Sequence, residues 1–515
     1  MKFSATNLTH AACVSQSFRY PDLFGAKTLS LTAQPVTNFS IEIAQGGYPS
    51  HDARNVTNLG FCNVSLIYTH PGQRDSINVQ VWLPLEGWNQ RLQGAAGGGF
   101  LAGLNVPSMA GALSDGFAVV STDAGHKVED ASTWALLSPG NVDLYALQNW
   151  ASVSLNDAAV IGKSITKDFY GQKPIRSYWN GCSGGGRQGL VLAQRYPDAF
   201  DGILAAAPGI NWNTALVGGL YFPLVIQLSG QGHIPNPCEI YALSLAAVAA
   251  CDADDGVIDN IISDPAQCKF DPSTLVGQNV TCPGINATIS QAAALGAAKA
   301  WDAVRTANGS FLMPGLNPGA LLNLALNSTC DTRTGKCQMV PFSYSEEFVR
   351  YWLIKRPEFD WTTLTWDDFY RLWDYSVDTY TDMTASNDPD LSDFRASGGK
   401  LITWHGLADP AVPTNTSRIY YSKVGQLDPS VSQYYRYFEA PGVSHCGGGN
   451  GPYPGHVFES LIAWVEEGKA PDVLQGISLP TANGTVYHRP ICAYPQMATY
   501  KGSGDVTLAA SWKCV

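Results

Sequence analysis

Tyr178-Trp179-Asn180-Gly181-Cys182-Ser183-Gly184-Gly185-Gly186-Arg187-Gln188-Gly189 carries a G-x-S-x-G pattern centred on Ser183. Residues 176–180 before it read as a short strand, and residues 187–196 after it have helical spacing. A serine on a tight strand-to-helix turn projects its oxygen into a site, and flanking glycines relieve the crowding such a turn creates. The helix start and the amide of Gly184 then suit an oxyanion. Ser183 is therefore the candidate nucleophile.

The surroundings repeat the alternation of strand and helix. Residues 77–83 (INVQVWL) alternate and then turn apolar, and residues 116–123 read as a buried strand ending in a loop. Residues 149–169 have helical spacing, and residues 202–207 form another buried strand closed by Pro208-Gly209. Strands at residues 400–404 and 434–438 resume the pattern late in the chain. Alternating units of this kind imply a parallel sheet. The expected fold is an α/β-hydrolase whose core, residues 1–209 and 396–515, is interrupted by a large insertion at 210–395.

A serine needs an adjacent base, itself oriented by an acid. In α/β-hydrolases the chain order is serine, acid, histidine, the latter two on loops after late strands. The two late strands lead into His405-Gly406-Leu407-Ala408-Asp409-Pro410 and Ala440-Pro441-Gly442-Val443-Ser444-His445-Cys446, offering Asp409 and His445. His405 and His126 also follow strands, and Asp428 lies between the chosen acid and base; order and loop position favour Asp409 and His445. Cys182 precedes the serine and Cys446 follows the histidine. A disulfide holds its Cα atoms about 4.4–6.8 Å apart, so a bond between these two would make Ser183 and His445 neighbours.

Composition bounds the rest. The net charge of -12 argues against nucleic acid or an anionic membrane as partner. No apolar run is long enough to span a bilayer. The twelve cysteines include no CxxC pair, and their scatter fits a disulfide framework formed in an oxidising compartment. Sequons at Asn7, Asn38, Asn55, Asn63, Asn279, Asn286, Asn308, Asn327, Asn415 and Asn483 point to the same secretory route. Residues 1–7 lack the apolar region of a signal peptide and read as a mature or engineered start of a secreted protein.

Taken with Ser121-Thr122-Asp123-Ala124-Gly125-His126, Phe200-Asp201-Gly202-Ile203, Gly398-Gly399-Lys400-Leu401 and His405-Gly406, the serine segment and its flanking cysteines resemble the tannase and feruloyl esterase family, its fungal feruloyl esterase B/C-like members in particular. The resemblance runs from Cys62 to Cys514. It implies hydrolysis of phenolic esters, a lid domain, a Cys182–Cys446 bond, and oxyanion donors at Gly184 and within Gly97-Gly98-Gly99, of which Gly98 is favoured.

Asp252-Ala253-Asp254-Asp255-Gly256-Val257-Ile258-Asp259-Asn260-Ile261 gathers carboxylates around a glycine, the oxygen-rich chemistry that Ca²⁺ requires. Gly256 is fifth and Ser263 twelfth from Asp252, which excludes an EF-hand; on spacing alone a solvated acidic turn fits as well. The resemblance implies a structural Ca²⁺ held by Asp252, Asp255, Val257 (carbonyl), Asp259 and Ile261 (carbonyl), with Cys251–Cys268 as a staple. No catalytic cofactor is expected. Cys330 and Cys337 are close enough in sequence to pair.

The aromatic stretch at 344–380, including Tyr351, Trp352, Phe359, Trp361, Trp366, Phe369, Tyr370, Trp373 and Tyr375, suits core packing or the wall of an aryl-acid pocket. The expected reaction is two-step acyl transfer on feruloyl or other hydroxycinnamoyl esters of plant cell-wall sugars, with galloyl esters of tannins as the alternative. A secreted, non-catalytic binder of plant polymers is the reading from another class. The oligomeric state is left open by the sequence.

Overall fold

Two long strands, Lys27–Ile43 (β1) and Arg54–Thr69 (β2), pair antiparallel and lead into Ile77–Pro84 (β3). The structure is a computed structural model that describes residues 12–331 and 333–515; the sequon at Asn7 and the rest of residues 1–7 lie outside them. Strand β3 alternates buried and half-buried residues before becoming wholly buried from Val81, as a strand passing from one covered face to two must. Arg91–Ala95 (β4), Ala118–Thr122 (β5), Arg176–Cys182 (β6), Gly202–Ala206 (β7), Lys400–Gly406 (β8) and Tyr435–Ala440 (β9) complete one sheet. Its order is β1-β2-β3-β5-β4-β6-β7-β8-β9. Pairing is antiparallel through β3 and β5, and parallel from β5 to β9.

Parallel strands need both faces covered, and five helices do this. Val106–Ser114 (α1) starts at an Asn105 cap that accepts from the Ser108 amide. Ser154–Tyr170 (α2), Gly184–Arg195 (α3), Asn415–Leu427 (α4) and Val457–Glu467 (α5) follow. Met109 and Leu113 of α1 join Phe458, Leu461 and Trp464 of α5 over one face. Leu155 of α2, Leu190 of α3 and Tyr420 and Val424 of α4 cover the other. This is the α/β-hydrolase fold.

Between β7 and β8 the chain makes a long excursion of helices and small hairpins. Two of its helices, Pro237–Cys251 and Trp366–Thr384, begin with capping boxes in which Asn236 pairs with Glu239 and Thr365 with Asp368. Most of the aromatic stretch is spent here as core: Trp352, Phe369 and Tyr380 are buried together with Leu224, Leu243 and Ala297. The same apolar cluster takes in Phe100, Trp134 and Trp150 from before β6. The excursion is thus fastened to the sheet's upper loops by shared aromatic packing.

All twelve cysteines pair: Cys13–Cys62, Cys182–Cys446, Cys238–Cys282, Cys251–Cys268, Cys330–Cys337 and Cys492–Cys514. Among the described sequons, Asn38, Asn55, Asn279, Asn286, Asn308, Asn327 and Asn483 are exposed, while Asn63 and Asn415 are half-buried. No helix of the described residues is long and apolar enough to cross a membrane.

Candidate active site

Ser183 sits between β6 and α3 with φ 62° and ψ -122°, a backbone region L-residues avoid. Neighbouring strands hold it there. Its amide donates to the Ala206 carbonyl at 3.0 Å, and its carbonyl accepts from the amides of Arg187 at 3.0 Å and Gly209 at 3.3 Å. The glycine at 185 is a requirement of space: an added Cβ would stand 2.6 Å from the Ala96 methyl and the Gly97 carbonyl. At Gly184 it would meet the Gly99 carbonyl at 2.9 Å. The helix start is therefore pressed onto the 97–99 loop, and α3 begins at Gly184 rather than at the expected Arg187, because packing against that loop outweighs the poor helix propensity of three glycines.

Asp409 lies on the loop after β8 and is fully buried. One carboxylate oxygen accepts from the amides of Ala411 at 2.8 Å and Val412 at 2.9 Å. The other accepts from His445 Nδ1 at 2.6 Å and His405 Nε2 at 3.1 Å. A carboxylate oxygen can only accept, so both ring nitrogens carry protons, and Nε2 of His445 is left as the basic atom. Burial alone would raise the Asp409 pKa, but His445 and His405 outweigh it and hold the carboxyl well below its usual range. For His445 burial pushes down, while the Asp409 charge and hydrogen bond prevail and raise it above 6.5.

The histidine loop is tied to the serine turn. Cys182 and Cys446 are bonded with Cα atoms 5.9 Å apart across 264 residues of sequence. Ser183, His445 and the 97–99 glycines line one cavity of about 520 Å³, whose wall also includes Trp212, Phe222, Met313, Leu316 and Phe342. The Gly97 amide is already engaged by the Gln188 side chain at 3.3 Å, and Gly98 lines the cavity one residue further on.

The rival residues have other work. His126 bonds the Phe100 carbonyl at 2.7 Å and stacks on Trp134, and Asp428 pairs with Arg395 and Ser430. His405 is neither rival nor bystander: its Nδ1 lies 2.8 Å from the Ser417 hydroxyl while Nε2 serves Asp409. Sequence reasoning missed this support, although the four-residue spacing from Asp409 at a strand end was visible. Of the 344–380 stretch only Tyr344 and Ser345 reach the cavity. Its larger aromatic walls, Trp212, Phe222 and Phe342, lie outside that stretch.

In the acidic loop, Asp252 accepts from the amides of Asp259 and Ile261 at 3.1 Å each, and Asp255 accepts from the Val257 amide at 2.9 Å. Asp259 pairs with buried Arg489. Burial, with Asp252 and Asp255 nearby, raises the Asp259 carboxyl to about 6 against the pull of Arg489. Arg489 thus neutralises Asp259, while Asp252 and Asp255 are held by backbone amides and the Ser263 hydroxyl. Among the described residues no three acidic, histidine or cysteine side chains converge as a ready metal cage, so the expected set depends on its two carbonyls as well as its carboxylates. The donors are all hard oxygens, and they fit Ca²⁺ by chemistry.

Sheet order, a strained serine between strand and helix, and acid and histidine loops after the last strands define an α/β-hydrolase. Residues 62–515 match the family described as tannase and feruloyl esterase. The chain is 36% identical over 507 residues to a probable feruloyl esterase of Arthroderma benhamiae, covering 97% of this chain and 93% of that protein. It is 28% identical to feruloyl esterase C of Talaromyces stipitatus, covering 95% and 92%. Among solved structures, tannin acyl hydrolase from Aspergillus niger superposes with a TM-score of 0.87 at 26% identity, covering 99% of this chain and 94% of that one. Feruloyl esterase B from Aspergillus oryzae gives 0.82 at 28%, covering 98% and 100%. The chain belongs to the tannase and feruloyl esterase family, and it is a carboxylic ester hydrolase.

Proposed function

We propose that this protein is a secreted serine esterase that cleaves feruloyl and related hydroxycinnamoyl esters of plant cell-wall sugars, with Ser183, His445 and Asp409 as its triad. The observation that carries this is the 2.6 Å hydrogen bond from His445 to buried Asp409, on a loop bonded through Cys446 to the residue preceding Ser183. His445 Nε2 takes the Ser183 hydroxyl proton as the oxygen attacks the ester carbonyl. The amides of Gly184 and Gly98 receive the oxyanion. The intermediate collapses, the alcohol leaves with the proton from His445, and water repeats the sequence to release the acid. Asp409 keeps the imidazole in the productive tautomer and stabilises its cation. Residues 210–395 serve as the lid that supplies part of the cavity's wall. Secretion is supported by the six disulfides and the exposed sequons.

The hydroxycinnamoyl assignment follows the names of the relatives, and a largely apolar cavity of about 520 Å³ suits an aryl acid. The galloyl alternative has its own support in the Aspergillus niger tannin acyl hydrolase, whose TM-score of 0.87 exceeds the 0.82 of the feruloyl esterase B. In the lid we assign a structural Ca²⁺ to Asp252, Asp255, Asp259 and the carbonyls of Val257 and Ile261; bound there, the ion would neutralise the aspartates and brace the loop stapled by Cys251–Cys268. Methyl ferulate and methyl gallate assayed in parallel, wild type against Ser183→Ala, test the function. Ferulate turnover that disappears in the variant supports the proposal. Gallate turnover instead transfers the substrate, and turnover surviving in Ser183→Ala removes the triad.

A further inference from the structure

Resting on that esterase reading, we infer that the cavity contains a hydroxyl-recognition site, built from Glu129 and Tyr344 with the Ser345 hydroxyl and the Trp212 indole N–H, that selects esters carrying a free hydroxyl group. All four residues line the same cavity as Ser183. The wall around them is apolar: Leu216, Phe222, Met313, Leu316 and Phe342. Polar atoms set in such a wall cost free energy unless something hydrogen-bonds them.

Two of these four are left without a protein partner. The Ser345 hydroxyl belongs to a fully buried residue and the Trp212 Nε1 to one only 6% exposed, yet neither is bonded within the fold. Both residues line the cavity, where a ligand is one of the things that satisfies such groups. The other two are joined: the Tyr344 hydroxyl donates to the Glu129 carboxylate. Burial, reinforced by Glu129, raises the Tyr344 pKa, so the phenol keeps its proton. A carboxylate has several acceptor positions, and one phenol does not fill them.

The four residues are linked by packing, chain adjacency and the Glu129–Tyr344 hydrogen bond. The Phe100 ring packs edge-on against Tyr344 at 5.4 Å and Trp212 at 5.6 Å, and Ser345 adjoins Tyr344 in the chain. A Cβ added at Gly99 would strike both the Glu129 carboxylate and the Tyr344 hydroxyl, and one added at Gly184 would meet the Gly99 carbonyl at 2.9 Å. The Glu129–Tyr344 pair and the serine turn therefore both abut Gly99. A hydroxyl is both donor and acceptor, so it can donate to Glu129 while accepting from Trp212 or Ser345. A methyl ether in the same place cannot donate. Phenolic hydroxyls on the acyl ring and sugar hydroxyls on the alcohol share this chemistry.

The test compares kcat/KM ratios within each enzyme, so that the fraction of folded protein cancels. The first ratio is methyl ferulate over methyl 3,4-dimethoxycinnamate, which differ by one O–H. The second is feruloyl arabinose over methyl ferulate. Wild type should prefer at least one hydroxyl-bearing member by tenfold or more, and Glu129→Leu and Tyr344→Phe should each collapse that preference, Glu129→Leu by about tenfold or more. Collapse of the first ratio places the recognised hydroxyl on the acyl ring, and collapse of the second places it on the sugar. Brisk wild-type turnover with both ratios near one, or ratios that neither variant moves, would overturn the hydroxyl site and leave the esterase standing. Folded wild type that cleaves none of these esters would overturn both.

Discussion

His445 and Asp409 are held so closely that the acidity of one is set by the other. Because the general base must be neutral to accept the serine proton, kcat/KM should fall as pH drops through the His445 pKa, whose folded value lies above 6.5. The acid-side midpoint is therefore expected above 6.5 in wild type. Asp409→Asn removes the charge that raises it, so the midpoint of the residual activity should move to lower pH. The rate should drop by about 10⁴-fold, as when a triad acid is made unable to fix the tautomer. A pH–rate profile of both proteins decides this, and an unmoved midpoint would take Asp409 out of its role. His405 supports the same carboxylate from inside the fold. His405→Ala should cost about 2–4 kcal/mol of stability, since it opens a buried space and takes a donor from a buried charge. Denaturant titration reads that loss directly.

At the scale of elements, the site is a junction of four loops: the β6–α3 turn, the 97–99 loop, the loop after β8 and the loop after β9. Only the first and last are covalently joined, through Cys182–Cys446. Loop-closure entropy for so long a separation amounts to about 5–6 kcal/mol in the unfolded chain. The Cys182→Ser, Cys446→Ser double variant should therefore melt earlier. It should also lose kcat more than it gains KM, because the histidine loop is no longer tethered beside the serine. Thermal melts paired with steady-state kinetics check both, and unchanged kcat would show that loop packing alone positions His445. The glycines at 184 and 185 were legible as a turn. Their second use, admitting the 97–99 loop against the helix start, depends on a neighbour some ninety residues away in sequence and left no local mark.

For the whole molecule, the excursion between β7 and β8 shares its aromatic core with Phe100, Trp134 and Trp150. The excursion and the sheet should accordingly unfold together rather than in two steps. The acidic loop joins the same economy of contacts through Asp259 and Arg489, the latter on the strand His488–Cys492 near the chain's end. If Ca²⁺ binds there, EDTA should lower the melting temperature by several degrees and added Ca²⁺ should restore it, since a ligand bound only to the folded state stabilises by mass action. Calorimetry with metal analysis tests this, and an unshifted melt of metal-free protein would leave the loop as an acidic turn.

The order of serine, acid and histidine, the strands that deliver them and the cysteines beside two of them were all readable in the sequence. Each follows from local pattern or covalent adjacency: period in the strands, glycine at a crowded turn, a thiol next to each candidate. The sequence pattern delimits no strand before residue 77, because β1 is largely exposed and its alternation carries little apolar contrast. Which side chains line the cavity was decided by tertiary structure alone. Trp212, Phe222, Met313 and Phe342 come from separate parts of the excursion, while most of the conspicuous aromatic stretch turned inward as core. A cavity wall is the sum of segments distant in sequence, and no local periodicity distinguishes an aromatic ring that packs on another ring from one that will meet a ligand.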